Sequence, residues 1–370
     1  LQNVHMARPH FRDLGAHLNF QNNNNAPTIT KRFYKAAEMA NKLARSNLSR
    51  EHKIKIIRSN ILPAALYGCE TGNPSKSAMA HLRSCIAKAI GPKSAKRSVN
   101  LTFELAGVSK DLDPQANMVY NRAAEIRRSM AKNEGRRGLI TLIIKKHQAA
   151  KEQAQEQKGC KPDKGIDKWK EADEDDELPP LPEGVHGPIT LFLKDLESLG
   201  CEMGQDLIIH TPSEPDIDLW RTPWQHLKVQ TMQLATRSRV QIAMQERTFV
   251  QEIKELDKEM INKLISNMGS KEANVYRYIA TGAMWNEFQL HQIDQGQGKC
   301  RNCGETVTDS SHVLWTCPVI NKYRKHKDMC NIDPSAIPSS LRYGLPCTME
   351  CDLKTSFFGD ISVEQQDNET

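Results

Sequence analysis

Four residues in the C-terminal part of the chain have the types and the spacing of a metal site. Cys300 and Cys303 form a C-x2-C pair, which is followed by His312 and Cys317. Thiolate and imidazole are the ligands that tetrahedral Zn²⁺ prefers in proteins. The C-x2-C turn lets both sulfur atoms reach one ion, and Gly304 permits the positive φ that such a turn often needs. The pattern predicts a CCHC zinc site.

The predicted site is structural rather than catalytic. Four protein ligands close a tetrahedral shell and leave no position for a reacting water. By analogy with zinc-finger peptides, the metal would contribute on the order of 10 kcal/mol to folding. The ligand set is not unique, because Cys330, Cys347 or Cys351 can replace one member, and His326 lies four residues before Cys330. Otherwise these downstream cysteines are expected to be free thiols.

The sequence contains none of the common catalytic motifs. There is no F/Y-x-D-D pair to hold two metal ions for nucleotidyl transfer, no P-loop, no G-x-S-x-G and no H-E-x-x-H. Glu174, Asp175 and Asp176 lie in an acidic tract over residues 171–177 that has no hydrophobic flanks. We interpret this tract as part of a solvated linker rather than as a catalytic centre.

Basic residues are concentrated in the first 150 positions. That part has 26 Lys and Arg against 9 Asp and Glu, a balance of +17, so the remaining residues carry −11 of the overall +6. A basic surface favours polyanions through counterion release. The alternative is that these basic helix surfaces are merely solvated.

The elements that carry these charges are predicted to be helices. The predictions are a helix capped by Thr28 or Thr30 that reaches about Arg45, a second helix capped by Ser49 that bends near Pro63, a third helix from Ser75 to about Ile90, and further helix over residues 101–146. The basic side chains of the first two helices that we expect to contact phosphates are Lys31, Arg32, Lys35, Lys42, Lys53, Lys55 and Arg58. Arg301 is expected to add a phosphate contact and Trp315 a base-stacking surface, although an aromatic residue beside a metal is more often part of a small core.

The composition changes near residue 147, where Lys, Gln and Glu repeats lead into the acidic tract. This stretch lacks apolar periodicity, which predicts a flexible linker. A second helical module is predicted beyond it. Its first elements are a helix from Ile189 to Leu199 that ends at Gly200 and a strand at Ile208 and Ile209. A longer helix, whose entry is flanked by Trp220 and Trp224, reaches toward Met244. The last two are a helix from about Thr248 to Met268 and a helix from Tyr276 to Trp285.

Several short motifs resemble parts of one known family. Phe11-Arg-Asp-Leu-Gly15 resembles the strand that closes the palm in reverse transcriptases of non-LTR (LINE-like) retrotransposons. Residues 61–70, with the pattern P-x-x-x-Y-G-x-E, resemble the thumb of that family. Cys300, Cys303, His312 and Cys317, with Val313-Leu-Trp315 between the last two, resemble its C-terminal zinc region. The stretches 337–341 and 344–346 are similar to the tail that follows.

The resemblance implies a role in RNA-directed DNA synthesis. The thumb would grip the template–primer duplex of RNA and DNA, and the zinc region would contact nucleic acid. The remaining polymerase domains of the element would be partners, and Mg²⁺ would be a cofactor only of a full-length enzyme, since the catalytic aspartates are absent here. The chain begins at Leu1, and we expect it to be the C-terminal fragment of a longer polymerase that is inactive alone.

The predicted fold class is mainly α. The predicted domains are a palm-end strand or hairpin with a turn at Gly15 and a basic helical, thumb-like region over 1–146, a flexible charged linker over 147–188, a helical connector domain over 189–290, a CCHC zinc-binding region over 291–350 and a tail over 351–370. Two other functions remain open: a zinc-stabilised protein-interaction module whose basic half docks onto an acidic partner, and a decayed product without function.

No stretch has the charged start and apolar run of a signal peptide, and none approaches the roughly 18 apolar residues of a membrane-spanning helix. We therefore expect an intracellular protein of the nucleus or cytoplasm with no membrane partner. Clustered cysteines in such a reducing compartment indicate a metal rather than disulfides.

Overall fold

The computed structural model describes residues 10–13, 16–19, 26–105, 112–159, 187–212, 215–247, 250, 253, 256–306, 310–324, 333 and 337–347. The protein is mainly helical, as predicted. The acidic tract, the tail over 351–370, and His326, Cys330 and Cys351 lie outside the described residues. None of the helices in the described part combines the length and the apolarity that crossing a membrane requires.

The chain forms two compact units that interleave along the sequence. The first unit contains residues 1–86 and 111–235, and the second contains residues 87–110 and 236–370. This division differs from the domains predicted from the sequence. The residues after 187, assigned above to a separate connector, pack with the helices over residues 114–159.

The first part of the first unit is a hairpin followed by helices. Its elements are β1 (His10–Asp13), β2 (Ala16–Asn19), α1 (Pro27–Arg45), α2 (Arg50–Ile56), a π-helical turn (Ile57–Ile61), α3 (Leu62–Leu66) and α4 (Lys76–Ile90). The two strands are antiparallel, with Phe11 opposite Leu18, which confirms the predicted hairpin. Ser49 caps α2 as predicted, because its hydroxyl accepts the backbone N–H of His52.

The predicted cap of α1 is wrong. The helix begins at Pro27, whose missing N–H is not needed in the first turn, and Ala26 is the N-cap residue without a side-chain hydrogen bond. Thr30 lies inside the helix, and its hydroxyl accepts the backbone N–H of Ser75 at 3.0 Å. Threonine at this position therefore joins α1 to the residue that precedes α4 instead of starting the helix.

The second part of the first unit contains α6 (Pro114–Lys132), α7 (Glu134–Gly159), α8 (Pro188–Ser198), a small antiparallel sheet of β3 (Glu202–Met203), β4 (Ile208–His210) and β5 (Ile217–Asp218), and the start of α9 (Trp224–Glu246). One apolar cluster joins these elements, with Val119, Ile144, Phe192, Ile209 and Leu227 among its fully buried members. Gly200 follows α8 with φ +73°, which confirms the predicted helix end.

The predicted start of the linker at residue 147 is wrong. Helix α7 continues to Gly159, and its side chains bind the β3 region. Gln148 donates to the backbone carbonyl of Met203 at 3.2 Å, and the ammonium of Lys151 lies 2.6 Å from a carboxylate oxygen of Glu202. The polar composition that predicted a linker therefore belongs to a helix. Polar side chains of this helix bind the small sheet.

A buried arginine fixes the loop between α3 and α4. Arg122 of α6 is 1% exposed and donates to the carbonyls of Cys69 and Gly72, at 2.8 and 3.0 Å. It also donates to the side-chain amide oxygen of Asn73 at 2.6 Å and pairs with Asp195 of α8 at 2.5 Å. The guanidinium fork satisfies loop carbonyls and one carboxylate at once.

The second unit is built from α5 (Val99–Glu104), the later part of α9, α10 (Lys258–Asn267), α11 (Ser270–Ala280), α12 (Glu287–Gln292), a π-helical turn (His312–Thr316), α13 (Pro318–Asn321) and α14 (Ser339–Arg342). Its main apolar cluster includes Leu101, Val240, Ile261 and Ala280. A buried ion pair lies in the same unit, where Glu104 binds Arg239 at 2.6 Å and Lys258 at 2.7 Å.

Two predicted helices of this unit have wrong bounds. The helix expected from Thr248 begins only at Lys258, because Leu256 forms a β-bridge with Cys347 and Asp257 then caps α10. The helix expected from Tyr276 to Trp285 is α11, which ends at Ala280 before the positive-φ Gly282. A separate helix, α12, follows it.

Candidate metal centre

A short hairpin presents the first two sulfur atoms of the predicted metal site. Lys299 and Thr306 form an antiparallel bridge, and the N–H of Cys300 donates to the carbonyl of Glu305 at 2.7 Å. The N–H of Gly304 donates to the carbonyl of Cys300 at 2.8 Å, and Gly304 has a φ of +78°. The expected positive φ after the C-x2-C turn is confirmed.

The other two candidate ligands are the first residue of a π-helical turn, His312, and the residue directly after that turn, Cys317. In His312–Thr316 the chain makes a wider turn than an α-helix, and the N–H of Cys317 donates to the carbonyl of His312 at 2.7 Å. This five-residue spacing brings both side chains to the same side of the turn. Pro318 then begins α13 immediately after Cys317.

The four side chains meet in one cluster. The sulfur atoms of Cys300 and Cys317 are 3.9 Å apart, and the sulfur of Cys303 lies 3.3 Å from Nε2 of His312. All four ligand atoms lie within 4.8 Å of one another. Zn–S and Zn–N bonds of about 2.3 and 2.0 Å in a regular tetrahedron require S–S and S–N separations of about 3.8 and 3.5 Å. The cluster can hold a metal ion.

The histidine is oriented by two polar neighbours. While Nε2 faces the sulfur atoms, Nδ1 lies 3.3 Å from the hydroxyl of Thr316 and 3.9 Å from a carboxylate oxygen of Glu305. Partners of this kind fix the ring and raise its basicity in metal sites. The sequence reasoning missed both residues. A carboxylate two positions after the C-x2-C pair was the available signal.

Backbone donors in the C-x2-C turn favour the first thiolate. Burial disfavours ionisation of the Cys300 thiol. Hydrogen bonds from the backbone N–H groups of Asn302 and Cys303, together with those from the side chains of Cys303 and His312, outweigh burial and lower the pKa of Cys300 to about 6. Desolvation and the neighbouring Cys300 and Cys317 raise the pKa of Cys303 to about 11. A metal cation would reverse the second effect, since a coordinating thiol is deprotonated by the ion itself.

Apolar material around the cluster is sparse. Cys300 and Cys317 are 3% and 0% exposed, and they are the fully buried residues of their own small cluster. Besides Cys303, only the half-buried Val319 and Ile320 pack against them among the described residues. The side chains that close this segment are therefore the candidate ligands themselves.

The two residues predicted to bind nucleic acid near the cluster have partners within the protein. Arg301 is exposed, and its guanidinium is paired with Glu287 of α12. Trp315 is half-buried and donates its indole N–H to the carbonyl of Arg342 at 3.1 Å, with the guanidinium of Arg324 5.4 Å from its ring. This placement matches the core interpretation of Trp315 better than an exposed stacking surface.

The basic residues of α1 and α2 differ in exposure. Lys31, Lys35, Lys42 and Lys55 are exposed, and Arg58 is half-buried. Lys53 is only 8% exposed and its ammonium donates to the carbonyl of Ala44 at 3.3 Å, so it stabilises the connection between the two helices. Arg32 donates to the carbonyl of Tyr67 at 2.5 Å and lies 5.0 Å from its ring.

Of the alternative ligands, Cys347 is described, and it lies outside the four-residue cluster. Comparison of the chain with protein-family models, with curated proteins and with solved structures finds no significant match.

Proposed function

We propose that the chain binds nucleic acid through an exposed basic stripe on α1, while a structural zinc ion keeps its C-terminal segment folded. In this proposal the ligand is the template–primer duplex of an RNA-directed DNA polymerase. The chain would be the C-terminal portion of a non-LTR retrotransposon reverse transcriptase that acts with the remaining polymerase domains. This kinship is supported by the order of the motifs at residues 11–15, 61–70 and 300–317 alone.

The observation that carries the binding role is the basic stripe of α1, formed by Lys31, Lys35, Lys42 and Arg45. Spacings of three, four and seven residues place these side chains along one line of the helix. All four are exposed, whereas the opposite face is buried against the core. Glu38 is the one carboxylate on the same line, so the stripe keeps a clear positive excess.

Crowded like charges on a helix need a counter-charge. Lys31 and Lys35 stand one turn apart, and like-charge pairs at this spacing destabilise a helix by a few tenths of a kcal/mol. Among the described residues, no carboxylate lies within ion-pair distance of Lys31, Lys35 or Lys42. A phosphate backbone laid along the stripe would supply the missing charge without reading sequence.

The proposal uses only part of the predicted residue set. In the segment that follows, Lys55 is exposed and Arg58 is half-buried, and both are kept as candidate phosphate contacts. Lys53, Arg301 and Trp315 hold contacts within the protein, and the proposed binding does not require them. No nucleotidyl transfer is assigned to these residues, because the sequence has no F/Y-x-D-D pair.

Zinc is the proposed metal because of the donor set. Three thiolates and one imidazole in a closed tetrahedral arrangement suit Zn²⁺ and exclude the oxygen-seeking Mg²⁺ and Ca²⁺. With every position taken by protein, the ion would be structural.

A salt titration of duplex binding tests the basic stripe. The full chain is titrated into a labelled RNA–DNA duplex at several salt concentrations, and the Lys31→Gln/Lys35→Gln/Lys42→Gln variant is compared with it. Glutamine keeps the helix propensity of lysine, so the change is one of charge. The variant should bind more weakly, and the slope of log affinity against log salt should fall by about 0.9 per lost phosphate contact, or about 2.7 in all.

The matched control neutralises three exposed lysines of the second unit, Lys263, Lys271 and Lys322. This control makes the same change in net charge. Its slope of log affinity against log salt should differ from that of the unmodified chain by less than about 0.9, the value of one phosphate contact. Equal slopes for both triple variants, or an affinity of the unmodified chain that does not change with salt, would refute the stripe as the binding surface.

A further inference from the structure

A second basic surface of the first unit combines arginines with tryptophans. It is formed where the end of α6 and the start of α7 lie against the start of α9 and the turn that precedes α9, and we call it the arginine–tryptophan patch. Its members are Arg127, Arg128, Lys132, Arg136, Arg137, Trp220 and Trp224. None of them belongs to the stripe on α1 or to the metal centre.

Cations are held against the rings of this patch. The guanidinium of Arg127 lies 4.6 Å from the ring centroid of Trp224 and donates to the backbone carbonyl of Thr222. The guanidinium of Arg128 lies 5.9 Å from the same ring, and that of Arg137 lies 5.9 Å from the ring of Trp220. The tryptophans are thus oriented by charged groups as well as by apolar packing.

The two tryptophan rings differ in how much of their surface is exposed. Trp220 is partly buried and packs against the apolar cluster of the first unit. Trp224 is 41% exposed at the first position of α9, although burying such a ring is one of the largest apolar gains a protein can make. An exposed tryptophan held in place by arginines is a surface suited to a flat ligand.

The charges of the patch are only partly neutralised. Glu125 pairs with the exposed Arg128 at 2.9 Å. Lys132, Arg136 and Arg137 are exposed, and no carboxylate of the described residues lies within ion-pair distance of them. Arg136 has the hydroxyl of Ser129 as a weak partner at 3.4 Å. The positive charges of these three residues are therefore not neutralised by a carboxylate in the described part of the chain.

We propose that the arginine–tryptophan patch binds single-stranded nucleic acid, with a base stacked on Trp224 and neighbouring phosphates bound by Arg136, Arg137 and Lys132. Base faces are available only in a single strand, because in a duplex they are stacked on each other. Stacking on an aromatic ring combined with a basic track is the usual means of binding single strands without sequence preference. An acidic protein segment would use the cations but not the ring. The patch does not require the α1 stripe to function.

The test uses the full chain and a fluorescent single-stranded pyrimidine oligonucleotide of about 16 nucleotides. Trp224→Ala should weaken binding about tenfold, whereas Trp224→Phe, which keeps a stacking ring, should weaken it less than threefold. Arg136→Gln/Arg137→Gln should lower the salt slope by about 1.4, since a single strand contributes about 0.7 per phosphate contact.

The matched control is Lys145→Gln/Lys146→Gln, which removes two exposed charges about two turns further along α7. It should leave the slope unchanged. Amide hydrogen exchange of α6 and α9 separates a lost contact from a lost fold. Trp224→Ala should weaken binding while these helices keep the exchange protection of the unmodified chain, and weaker binding that comes with lost protection would count against a stacking contact.

The proposal is overturned if Trp224→Ala binds the oligonucleotide as tightly as the unmodified chain. It is also overturned if the arginine double variant and the lysine double variant show the same decrease in the slope of log affinity against log salt. It is also overturned if a poly-glutamate peptide binds in a Trp224-independent way while the oligonucleotide does not, which would indicate an acidic protein partner. The Lys31→Gln/Lys35→Gln/Lys42→Gln variant should keep its single-strand affinity, so failure of the α1 stripe and failure of the patch give different results.

Discussion

Removing one cysteine of the CCHC cluster should unfold the C-terminal segment while the rest of the protein stays folded. Cys300→Ser and Cys317→Ser each replace a buried sulfur ligand by a hydroxyl that Zn²⁺ binds poorly. The cluster has no apolar residue, other than its own cysteines, that is fully buried among the described side chains. Loss of the metal would leave residues 299–324 with the half-buried Val319 and Ile320 and with two polar contacts, which are the hydrogen bond of Trp315 to the carbonyl of Arg342 and the ion pair of Arg301 with Glu287.

The magnitude follows from the same packing. Val319 and Ile320 are half-buried, and together they contribute about 2–3 kcal/mol of apolar burial. Structural zinc sites contribute about 10–16 kcal/mol in apparent binding free energy near pH 7, several times what those two side chains supply.

The assay measures bound zinc per chain and amide hydrogen exchange over residues 299–324. The unmodified chain should hold one zinc ion, and its cobalt-substituted form should show the spectrum of tetrahedral thiolate coordination. Both serine variants should lose the metal and the exchange protection of this segment. Cys347→Ser is the control, because Cys347 is a half-buried thiol of the same unit outside the cluster. Full zinc content in both ligand variants, or protection that survives removal of zinc by a chelator, would refute the ligand set.

Two further predictions concern the buried ion pair of the first unit. Arg122→Met leaves the carboxylate of Asp195 and the loop carbonyls without their donor. It should lower the free energy of unfolding of this unit by about 3–5 kcal/mol, measured by the hydrogen exchange of α6. A loss below about 1 kcal/mol would contradict a structural role. Burial raises the pKa of Asp195 above its usual value near 3.8, and Arg122 opposes the rise. Because the folded state then holds the proton more tightly than the unfolded state, the stabilisation by Asp195 should fall as pH rises from about 3.8 through the raised pKa. The difference in unfolding free energy between the unmodified chain and Asp195→Asn, measured against pH, checks this sign, and a flat difference would contradict it.

Local patterns in the sequence were sufficient for the metal cluster and for several helix ends. The spacing of Cys300, Cys303, His312 and Cys317 predicts four residues that the structure places within 4.8 Å. Short-range chemistry dictates this result, because the hairpin and the π-helical turn are each closed by hydrogen bonds between residues at most seven positions apart. The helix cap at Ser49 and the helix end at Gly200 likewise depend only on residues close by in the sequence.

Features that depend on distant residues were not predictable from one sequence. The polar stretch after residue 147 looks like linker until Lys151 and Gln148 meet the β3 region, more than fifty positions away. The buried position of Lys53 depends on the carbonyl of Ala44 in the preceding helix, which no charge count reveals. Tertiary contacts override composition and local propensity at these positions.

The buried Arg122 connects the core of the first unit to the proposed binding surface. Its guanidinium holds Asn73, whose backbone carbonyl accepts the N–H of Ala26 at 2.8 Å, the residue that precedes α1. The N–H of Ser75 in the same loop donates to the hydroxyl of Thr30. The start of the helix that carries the basic stripe is therefore fixed by a loop that is itself held by one cation. In a chain with only 6% aromatic residues, directional polar contacts of this kind set positions that a larger apolar core would otherwise set.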